Sequence, residues 1–335
     1  MKVLTTYNFE YLKNVLSFIR MFPSLHIGSK HYHSVFPRRA SLILYITNRC
    51  NSRCIACNHW TQKPKYDLSI KAIEALNKAI SWKNNSFLVE GGEAVLHPDF
   101  DKIMDVLHNR KINLLTNGLL TNRLVKIVEK YKISRVSISL DGGRKTYEKM
   151  RGVDGYDNVL ETIDILRNKT TLGVSFTITP WNNYDDYLHV KEICEEKNIL
   201  LQTGIFAAMD YMGAKTKESL IDLRYESLGN PYINTYNKWV NSQNKPPCFA
   251  MRFVAVVRSN GDVALCQHKD IILGNIYERH FDEIWNDEKT MKIQDENRFC
   301  NDCWVASHRS FDVKFDLLLK KIFPDYLYKK MINKI

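Results

Sequence analysis

The sequence predicts an α/β fold, a partial (β/α)6 TIM-like barrel followed by a small C-terminal α+β domain. Three observations support this prediction. From residue 41, short β-rich runs alternate with helical patterns, as in a parallel sheet covered by helices. Glycine-containing polar turns follow several of these runs, and the eight cysteines fall mainly into two groups. In such a barrel the chemistry is expected at the C-terminal ends of the strands.

The strand and helix candidates alternate over about 165 residues. The strand candidates are runs rich in β-branched and aromatic residues: Leu42–Thr47, Phe87–Glu90, Ile112–Thr116, Val136–Leu140, Leu172–Ile178 and Leu200–Phe206. The helix candidates between them open with polar residues or proline: Ile70–Trp82, Pro98–Asn109, Asn122–Tyr131, Tyr156–Arg167 and Tyr184–Lys197.

Composition places the chain among ordinary folded proteins. It has 335 residues, of which 44% are hydrophobic and 25% charged, so it is long enough for one large domain or a large and a small one. No apolar run reaches the length of a membrane span. Glu10, Lys13 and Arg20 interrupt the N-terminal segment, so we do not expect this segment to act as a secretory signal. We therefore expect a cytoplasmic protein.

The chain after the barrel pattern contains a connector and a cysteine-bearing segment. Residues 208–245 show no clear period, and Pro246-Pro247 mark a boundary. Beyond it, Arg252–Val257 and Val263–Cys266 flank an Asn260-Gly261 turn, which predicts a β-hairpin.

The first cysteine group lies directly after the first predicted strand. Cys50, Cys54 and Cys57 place three thiolates within eight residues. Three cysteines leave one iron of a [4Fe-4S] cluster open to an exogenous ligand. The alternative is a structural zinc site completed by His59, because mixed thiolate and imidazole ligands suit tetrahedral zinc.

At this motif the sequence resembles the radical S-adenosylmethionine (SAM) superfamily. The resemblance covers about residues 41–206 and extends to 306 through the second cysteine group. It implies that Cys50, Cys54 and Cys57 hold a [4Fe-4S] cluster whose open iron chelates SAM. The family's aromatic residue before the last cysteine is Ala56 here, with Trp60 slightly downstream.

The resemblance also implies which residues contact SAM. Gly91-Gly92-Glu93 looks like the family's GGE motif at the end of the second strand, although the usual following proline is Ala94. The remaining positions implied in SAM binding lie at the ends of later strands: Thr116 and Asn117 in the same ring, Ser139 and Asp141 at the ribose, and Arg151 at the SAM carboxylate. No residue is assigned a catalytic role.

The second cysteine group, Cys248, Cys266, Cys300 and Cys303, supplies four thiolates. It resembles the twitch domain, a shortened relative of the SPASM domain, and implies one auxiliary [4Fe-4S] cluster. A four-cysteine zinc site is the alternative. Cys194, in the middle of a predicted helix, is most simply a small buried hydrophobic residue.

The implied reaction is reductive cleavage of SAM to a 5′-deoxyadenosyl radical that takes hydrogen from a substrate, with a flavodoxin or ferredoxin as reductant. No spare cysteine lies on a strand-end loop to quench a substrate radical, so oxidation is favoured over a redox-neutral outcome. Only about 40 residues precede the first strand, which favours a small molecule or saccharide over a peptide. A peptide or natural-product maturase and an iron–sulfur electron carrier are the alternatives, and nucleic acid is not expected.

Both ends of the chain are basic. Residues 1–40 carry six Lys or Arg against one acid, and residues 307–335 carry seven against three. Their apolar residues fall near helical spacing, which predicts either peripheral membrane contact or helices packed on the barrel. The predicted domains are an N-terminal basic helical extension (1–40), the radical SAM core (41–207), the connector (208–245), the auxiliary-cluster domain (246–306) and a basic amphipathic tail (307–335).

Overall fold

A computed structural model describes residues 41–80, 85–207, 209, 220–246, 248, 250, 254–297 and 300–332 of the chain. The predicted N-terminal extension, residues 1–40, lies outside the described residues. Of the described residues, those up to Asp316 belong to one large unit and those from Leu317 onward to a second unit. Each unit is described by itself.

One nine-stranded sheet forms the centre of the large unit. Its strands are β1 (Ser41–Thr47), β2 (Ser86–Gly91), β3 (Lys111–Thr116), β4 (Arg135–Ser139), β5 (Leu172–Ile178), β6 (Leu200–Ile205), β7 (Val254–Val257), β8 (Asp262–Ala264) and β9 (Ile272–Asn275). The spatial order is β6-β5-β4-β3-β2-β1-β7-β8-β9, with all pairs from β6 to β1 parallel. The first six strands confirm the predicted partial barrel, which is an unclosed sheet.

Helices connect the parallel strands and continue beyond them. They are α1 (Ile70–Ala79), α2 (Phe100–Leu107), α3 (Thr121–Lys130), α4 (Arg144–Arg151), α5 (Tyr156–Leu166), α6 (Tyr184–Glu196), α7 (Pro231–Val240), α8 (Phe281–Trp285), α9 (Glu288–Glu296), α10 (Ala306–Ile322) and α11 (Asp325–Ile332). Five of the first six match predicted helices. Helix α4 was not predicted.

The two faces of the sheet differ in chemistry. Alternate residues of each parallel strand, such as Leu44 on β1 and Val89 on β2, join one large apolar core with the helices. The opposite, inner face has a small apolar cluster around β1, β2 and β7, formed by residues that include Ile43, Tyr45 and Val256, and Leu115 lies on the same face of β3. Along β3 to β6 the partly exposed side chains of the inner face are mainly polar.

The hairpin predicted in the C-terminal segment is confirmed and extends the barrel sheet. Strands β7 and β8 pair antiparallel, and β7 pairs parallel to β1, with Leu44 opposite Val257. Gly261 in the turn has φ +90°, a left-handed conformation that favours glycine. The segment that bears the second cysteine group is therefore hydrogen-bonded directly to the first barrel strand, which the sequence did not predict.

The connector contains regular structure that the sequence analysis missed. A 3-10 helix spans Leu223–Leu228, and α7 begins at Pro231, where the Asn230 side chain accepts a hydrogen bond from the Tyr232 N–H at 3.1 Å. Tyr232, Tyr236 and Trp239 on α7 are buried against Trp304, with their ring centroids 5.1–5.8 Å from that of Trp304. Because this aromatic partner lies over 60 residues further along the chain, local periodicity does not reveal it.

The C-terminal helices carry exposed apolar side chains. Helix α10 begins at Ala306 in the large unit and continues to Ile322, and α11 follows. Leu317, Ile322 and Tyr326 are exposed beside the basic last turn of α10. Among the residues described, no helix has both the length and the apolar character that a membrane span requires.

Candidate functional site

The first cysteine group lies on a loop held at the C-terminal end of β1. The loop backbone is bonded to α4, with Arg53 N–H donating to the Arg151 carbonyl at 2.8 Å and Ile55 N–H to the Met150 carbonyl at 3.0 Å. The Trp60 indole donates to the Cys54 carbonyl at 3.3 Å. The short Cys-x3-Cys-x2-Cys spacing and these bonds place all three cysteines over the strand ends.

The Gly91-Gly92-Glu93 turn packs directly under this loop. Gly92 N–H donates to the Thr47 carbonyl at 2.8 Å, and Glu93 N–H donates to the Arg49 carbonyl at 2.7 Å. A Cβ on Gly92 would lie 2.2 Å from the Arg49 carbonyl oxygen and 3.0 Å from the Cys50 Cβ. Glycine is required here because the turn and the cysteine loop approach so closely.

The Glu93 carboxylate is buried and held by the next strand end. The Thr116 hydroxyl donates to one oxygen at 2.8 Å, and Asn117 N–H donates to the other at 2.7 Å. The Asn117 side chain donates in turn to Asn51 at 2.7 Å and to the Ser52 hydroxyl at 3.1 Å. Burial raises the pKa of Glu93 to about 7, against the stabilising effect of these donors and of Arg151. This carboxylate is positioned to receive a cationic group.

Helix α4 delivers Arg151 to the same site. Its guanidinium donates to the Asp141 carboxylate and lies 3.7 Å from the Cys54 sulfur. The other Asp141 oxygen accepts a hydrogen bond from Thr177 N–H at 2.8 Å. Burial works against the charge of Arg151, but the neighbouring Asp141 carboxylate raises its pKa above the ordinary value. Both oxygens of Asp141 are engaged, so Asp141 holds the guanidinium in place.

The three thiols of the first group sit in one electrostatic environment. Burial, together with the charges of neighbouring thiols, raises the pKa of Cys50 to about 11 and that of Cys57 to about 12. Arg151 opposes this effect at both positions. The thiols of Cys50 and Cys57 are therefore neutral at pH 7 unless a metal centre displaces their protons.

The second cysteine group is assembled from distant parts of the chain. Cys266 and Cys303 are buried, and Cys248 and Cys300 are partly buried. Burial raises the pKa of each of the four thiols, and the charges of Cys300 and Cys266 contribute at Cys303, as Cys303 does at Cys248. Cys303 is therefore within electrostatic range of the other three thiols. Among the described residues, no group of three or more His, Cys, Asp or Glu side chains is arranged to hold a single metal ion.

Comparison with known families decides what these two sites belong to. The family model described as "Radical SAM superfamily" matches residues 44–193, and that of an "Iron-sulfur cluster-binding domain", SPASM, matches residues 248–304. The chain belongs to the radical SAM superfamily.

Relatives and solved structures agree with this assignment. The chain is 23% identical over 304 residues to an AdoMet-dependent heme synthase from Methanosarcina barkeri, covering 79% of this chain and 87% of that protein. It is 26% identical to a probable GTP 3′,8-cyclase from Methanocella arvoryzae over 53% of this chain, and spans only 59% of that protein. Streptococcus suis SuiB, crystallised with S-adenosylmethionine, has a similar fold, with TM-score 0.62 and 17% identity over 78% of this chain and 69% of SuiB.

Membership in the radical SAM superfamily establishes the cofactors. The protein uses a [4Fe-4S] cluster with SAM, and its SPASM-type domain implies an auxiliary iron–sulfur cluster. The residues present fit these groups, because the first site offers three partly buried thiols with a carboxylate and a guanidinium, and the second offers two buried and two partly buried thiols. The predicted cofactors are confirmed.

The structure brings together most of the residues singled out from sequence. Glu93, Thr116, Asn117, Asp141 and Arg151 form one hydrogen-bonded surround with the cysteine loop, and Ser139 ends β4 on the inner face of the sheet. Cys194 is buried in the apolar core, as predicted. Sequence reasoning missed Tyr45, Glu90 and Gln267, which are joined across the chain and carry no local motif.

Proposed function

We propose that this radical SAM protein is an oxidoreductase that dehydrogenates a polar small molecule or saccharide. The observation that carries the substrate class is the polar inner face of the barrel. The partly exposed side chains on this face include Asn113, Ser137, Ser139, Ser175, Thr177 and Gln202. Ser137 donates to Gln202 at 3.0 Å, which places side chains of β4 and β6 on the same surface. Hydroxyl and amide groups of this kind recognise a hydroxylated substrate by hydrogen bonding.

The first site is suited to bind and orient SAM. We propose that Cys50, Cys54 and Cys57 hold the cluster, and that Glu93 receives the SAM ammonium while Arg151, aligned by Asp141, receives its carboxylate. When bound, the cluster and SAM supply a radical that abstracts hydrogen. Thr116 and Asn117 keep the Glu93 carboxylate oriented, because both of its oxygens accept a hydrogen bond from them.

The second site favours oxidation. We propose that Cys248, Cys266, Cys300 and Cys303 hold the auxiliary cluster, which can accept the electron that a substrate radical must lose. The hairpin that leads to Cys266 is bonded to β1, the strand that leads to the first cysteine group. Gly204 on β6 lies close to Ala306, since an added Cβ would be 3.5 Å from that of Ala306. The second site is thus anchored near strands on both sides of the inner face.

Two alternatives differ in outcome. A peptide or natural-product maturase would use the same SAM chemistry, and a solved structure of SuiB contains the precursor peptide SuiA. At 18% identity this similarity shows a shared fold and does not indicate that this chain acts on a peptide. An electron carrier would hold both clusters without cleaving SAM.

The test is anaerobic incubation of the reconstituted protein with SAM and dithionite or reduced flavodoxin. We expect 5′-deoxyadenosine by mass spectrometry and about eight iron atoms per chain, in keeping with two [4Fe-4S] clusters. Two clusters without 5′-deoxyadenosine would favour the electron carrier. About four irons and one zinc would make the second site structural and remove the basis for oxidation.

We also propose a cytoplasmic protein that contacts membranes peripherally through its C-terminal helices. Leu317, Ile322 and Tyr326 are exposed, and Lys320 and Lys321 are basic neighbours in the last turn of α10. We expect flotation with vesicles containing phosphatidylserine but not with pure phosphatidylcholine, and loss of flotation in Lys320→Glu/Lys321→Glu. Absence of binding to the anionic vesicles would contradict this location.

A further inference from the structure

A buried hydrogen-bond network joins the two halves of the protein at the inner face. The Gln267 side-chain amide donates to the Glu90 carboxylate at 2.8 Å and to the Tyr45 hydroxyl at 2.8 Å. Tyr45 and Glu90 are directly opposite each other on β1 and β2. Gln267 comes 177 residues after Glu90 and immediately follows Cys266. The network thus links the barrel strands to the segment of the second cysteine group.

Glu90 lies on the inner face, at the end of the barrel where the chemistry takes place. Its strand neighbour Leu88 packs with Tyr45 and Val256 in the inner cluster, whereas Phe87 and Val89 pack against the helices. Glu90 is also the last residue before the Gly91-Gly92-Glu93 turn at the first site. The Glu90 carboxyl group therefore lies at the C-terminal end of β2 on the inner face. It is next to the glycine turn of the first site and is hydrogen-bonded to Gln267, which follows Cys266 of the second cysteine group.

The surroundings of Glu90 contain one influence that favours its protonated form and another that favours its carboxylate form. Burial raises the pKa of Glu90 to about 7, while hydrogen bonds from Tyr45 and Gln267 stabilise the carboxylate. The Ser307 hydroxyl at the start of α10 donates to the Gln267 carbonyl oxygen, which fixes the orientation of the amide. His59 stacks on Tyr45 with ring centroids 5.6 Å apart, and the charges of Lys65 and Arg258 act on His59. Arg258 is itself paired with Asp270. Burial lowers the pKa of His59 to about 4, so it stays neutral near pH 7.

We propose that Glu90 accepts the proton that the substrate loses during oxidation, on the side of the barrel where the auxiliary cluster accepts the electron. This inference rests on the proposed function. Removal of one hydrogen atom from a substrate C–H bond leaves a substrate radical. Loss of a proton to the Glu90 carboxylate and of one electron to the auxiliary cluster then forms a new double bond, which completes a two-electron oxidation. Tyr45 and Gln267 are positioning residues for the carboxylate.

The role of Glu90 can be tested without a substrate. A proton on Glu90 and an extra electron on a nearby cluster attract each other, so each favours the other. We expect the midpoint potential of the auxiliary cluster to fall as pH rises from 6 to 8, by at most about 59 mV per pH unit for one electron. The measurement is an EPR-monitored redox titration of the Cys50→Ala/Cys54→Ala/Cys57→Ala protein, which isolates the auxiliary cluster.

Variants made in the same background identify the group responsible. Glu90→Gln keeps the shape of the side chain and should abolish the pH dependence, whereas the exposed Glu161→Gln should keep it. Tyr45→Phe removes one donor to the carboxylate, which raises the pKa of Glu90 and moves the pH-dependent region upward. A pH-independent potential before substitution, or a Glu90→Gln protein that keeps the pH dependence, would overturn the role of Glu90.

A failure of the role assigned to Glu90 can be distinguished from a failure of the proposed function. The protein with all cysteines is tested in parallel for 5′-deoxyadenosine from SAM and dithionite. SAM cleavage together with a pH-independent auxiliary potential would reject Glu90 and leave the proposed function standing. Absence of SAM cleavage would reject the proposed function, and the role of Glu90 with it.

Discussion

The two cysteine sites are built in opposite ways. The first uses three cysteines within eight residues on one loop, close to Glu93 and Arg151. The second draws four cysteines from a span of over 50 residues, and its segments are held by β7 on the barrel sheet and by Trp304 against α7. A local loop can keep its ligands together when the rest of the fold loosens, whereas the second site exists only when the tertiary structure is complete.

Charge also separates the two sites. The first combines a buried carboxylate with a partly buried guanidinium, as needed for a ligand that carries both signs of charge. At the second, Arg309 is buried with Asp312 and donates to the Pro246 carbonyl at 2.8 Å, which ties α10 to the start of the cysteine segment. The first site is therefore suited to bind a small zwitterion, and the second to hold the chain together around its thiols.

The largest expected effect comes from removing the first group. Cys50→Ala/Cys54→Ala/Cys57→Ala should abolish 5′-deoxyadenosine formation and lower the iron content from about eight to about four atoms per chain. Because the loop lies at the surface of the strand ends, the thermal unfolding midpoint should change little. Iron analysis, mass spectrometry and calorimetry test this. Loss of all iron in this protein would contradict the independence of the two sites.

Removing buried ligands of the second group should instead damage the fold. Cys266→Ala/Cys303→Ala should also lose about four iron atoms but lower the unfolding midpoint by at least several degrees, because ligand binding here is coupled to folding. SAM cleavage should persist within a few-fold. Cys194→Ala is the matched control, since it removes a buried thiol outside both sites and should keep all the iron. If the triple variant of the first group and the double variant of the second group had equal thermal unfolding midpoints, the two sites would not differ in their contribution to folding.

The sequence predicts the features of this architecture that depend on local contacts, and it misses those that depend on contacts between distant parts of the chain. The sequence predicts strands β1 to β6 within one or two residues of their bounds, since each is a short run rich in β-branched and apolar residues between turn residues. The three clustered cysteines and the glycine turn were visible for the same reason. Helix α7, the pairing of β7 with β1 and the Glu90–Gln267 contact depend on partners far along the chain, so no local pattern indicates them. The hydrogen bonds from Thr177 and Arg151 to the Asp141 carboxylate likewise form only in the tertiary structure.

Close packing between the turn and the cysteine loop gives the third prediction. Gly92→Ala places a Cβ 2.2 Å from the Arg49 carbonyl oxygen, so the loop must shift away from the turn. We expect incomplete iron loading at the first site and at least 30-fold slower SAM cleavage, since a shift of about 1 Å can cost about 100-fold. Gly173→Ala on β5 is the control, because its nearest neighbour is 3.5 Å away. Normal loading and cleavage in Gly92→Ala would show that the approach is not required.

The buried ion pair gives the fourth prediction. Arg151→Lys keeps the charge but loses the planar fork that contacts both Asp141 and Cys54. We expect SAM to bind on the order of 10- to 100-fold more weakly, since disrupting a buried hydrogen-bonded pair costs about 2 kcal/mol or more. Isothermal titration calorimetry measures this. Arg144→Lys, which alters an exposed ion pair with Asp157, should bind SAM within about twofold of the unchanged protein. Equal losses in the two variants would mean that burial of Arg151 has no special role.

The smallest effect is a pH dependence of SAM binding at Glu93. With the pKa of Glu93 near 7, the carboxylate fraction falls about tenfold between pH 8 and pH 6, so SAM should bind about tenfold more weakly at pH 6. Thr116→Val removes a donor to the carboxylate, which should move the midpoint of this dependence to higher pH. Unchanged affinity from pH 8 to 6 would exclude Glu93 as the partner of the ammonium.

The stability of the protein without SAM should change with the opposite sign. Burial favours the protonated form of Glu93, so its contribution to folding is present below the ordinary glutamate pKa and is lost as pH rises toward 7. Glu90 contributes in the same direction, because burial raises its pKa as well. Glu93→Gln should therefore lose the pH dependence of SAM binding at the first site while keeping the pH-dependent auxiliary potential that we assign to Glu90. A variant that lost both would indicate one coupled pair of carboxylates instead of two separate groups.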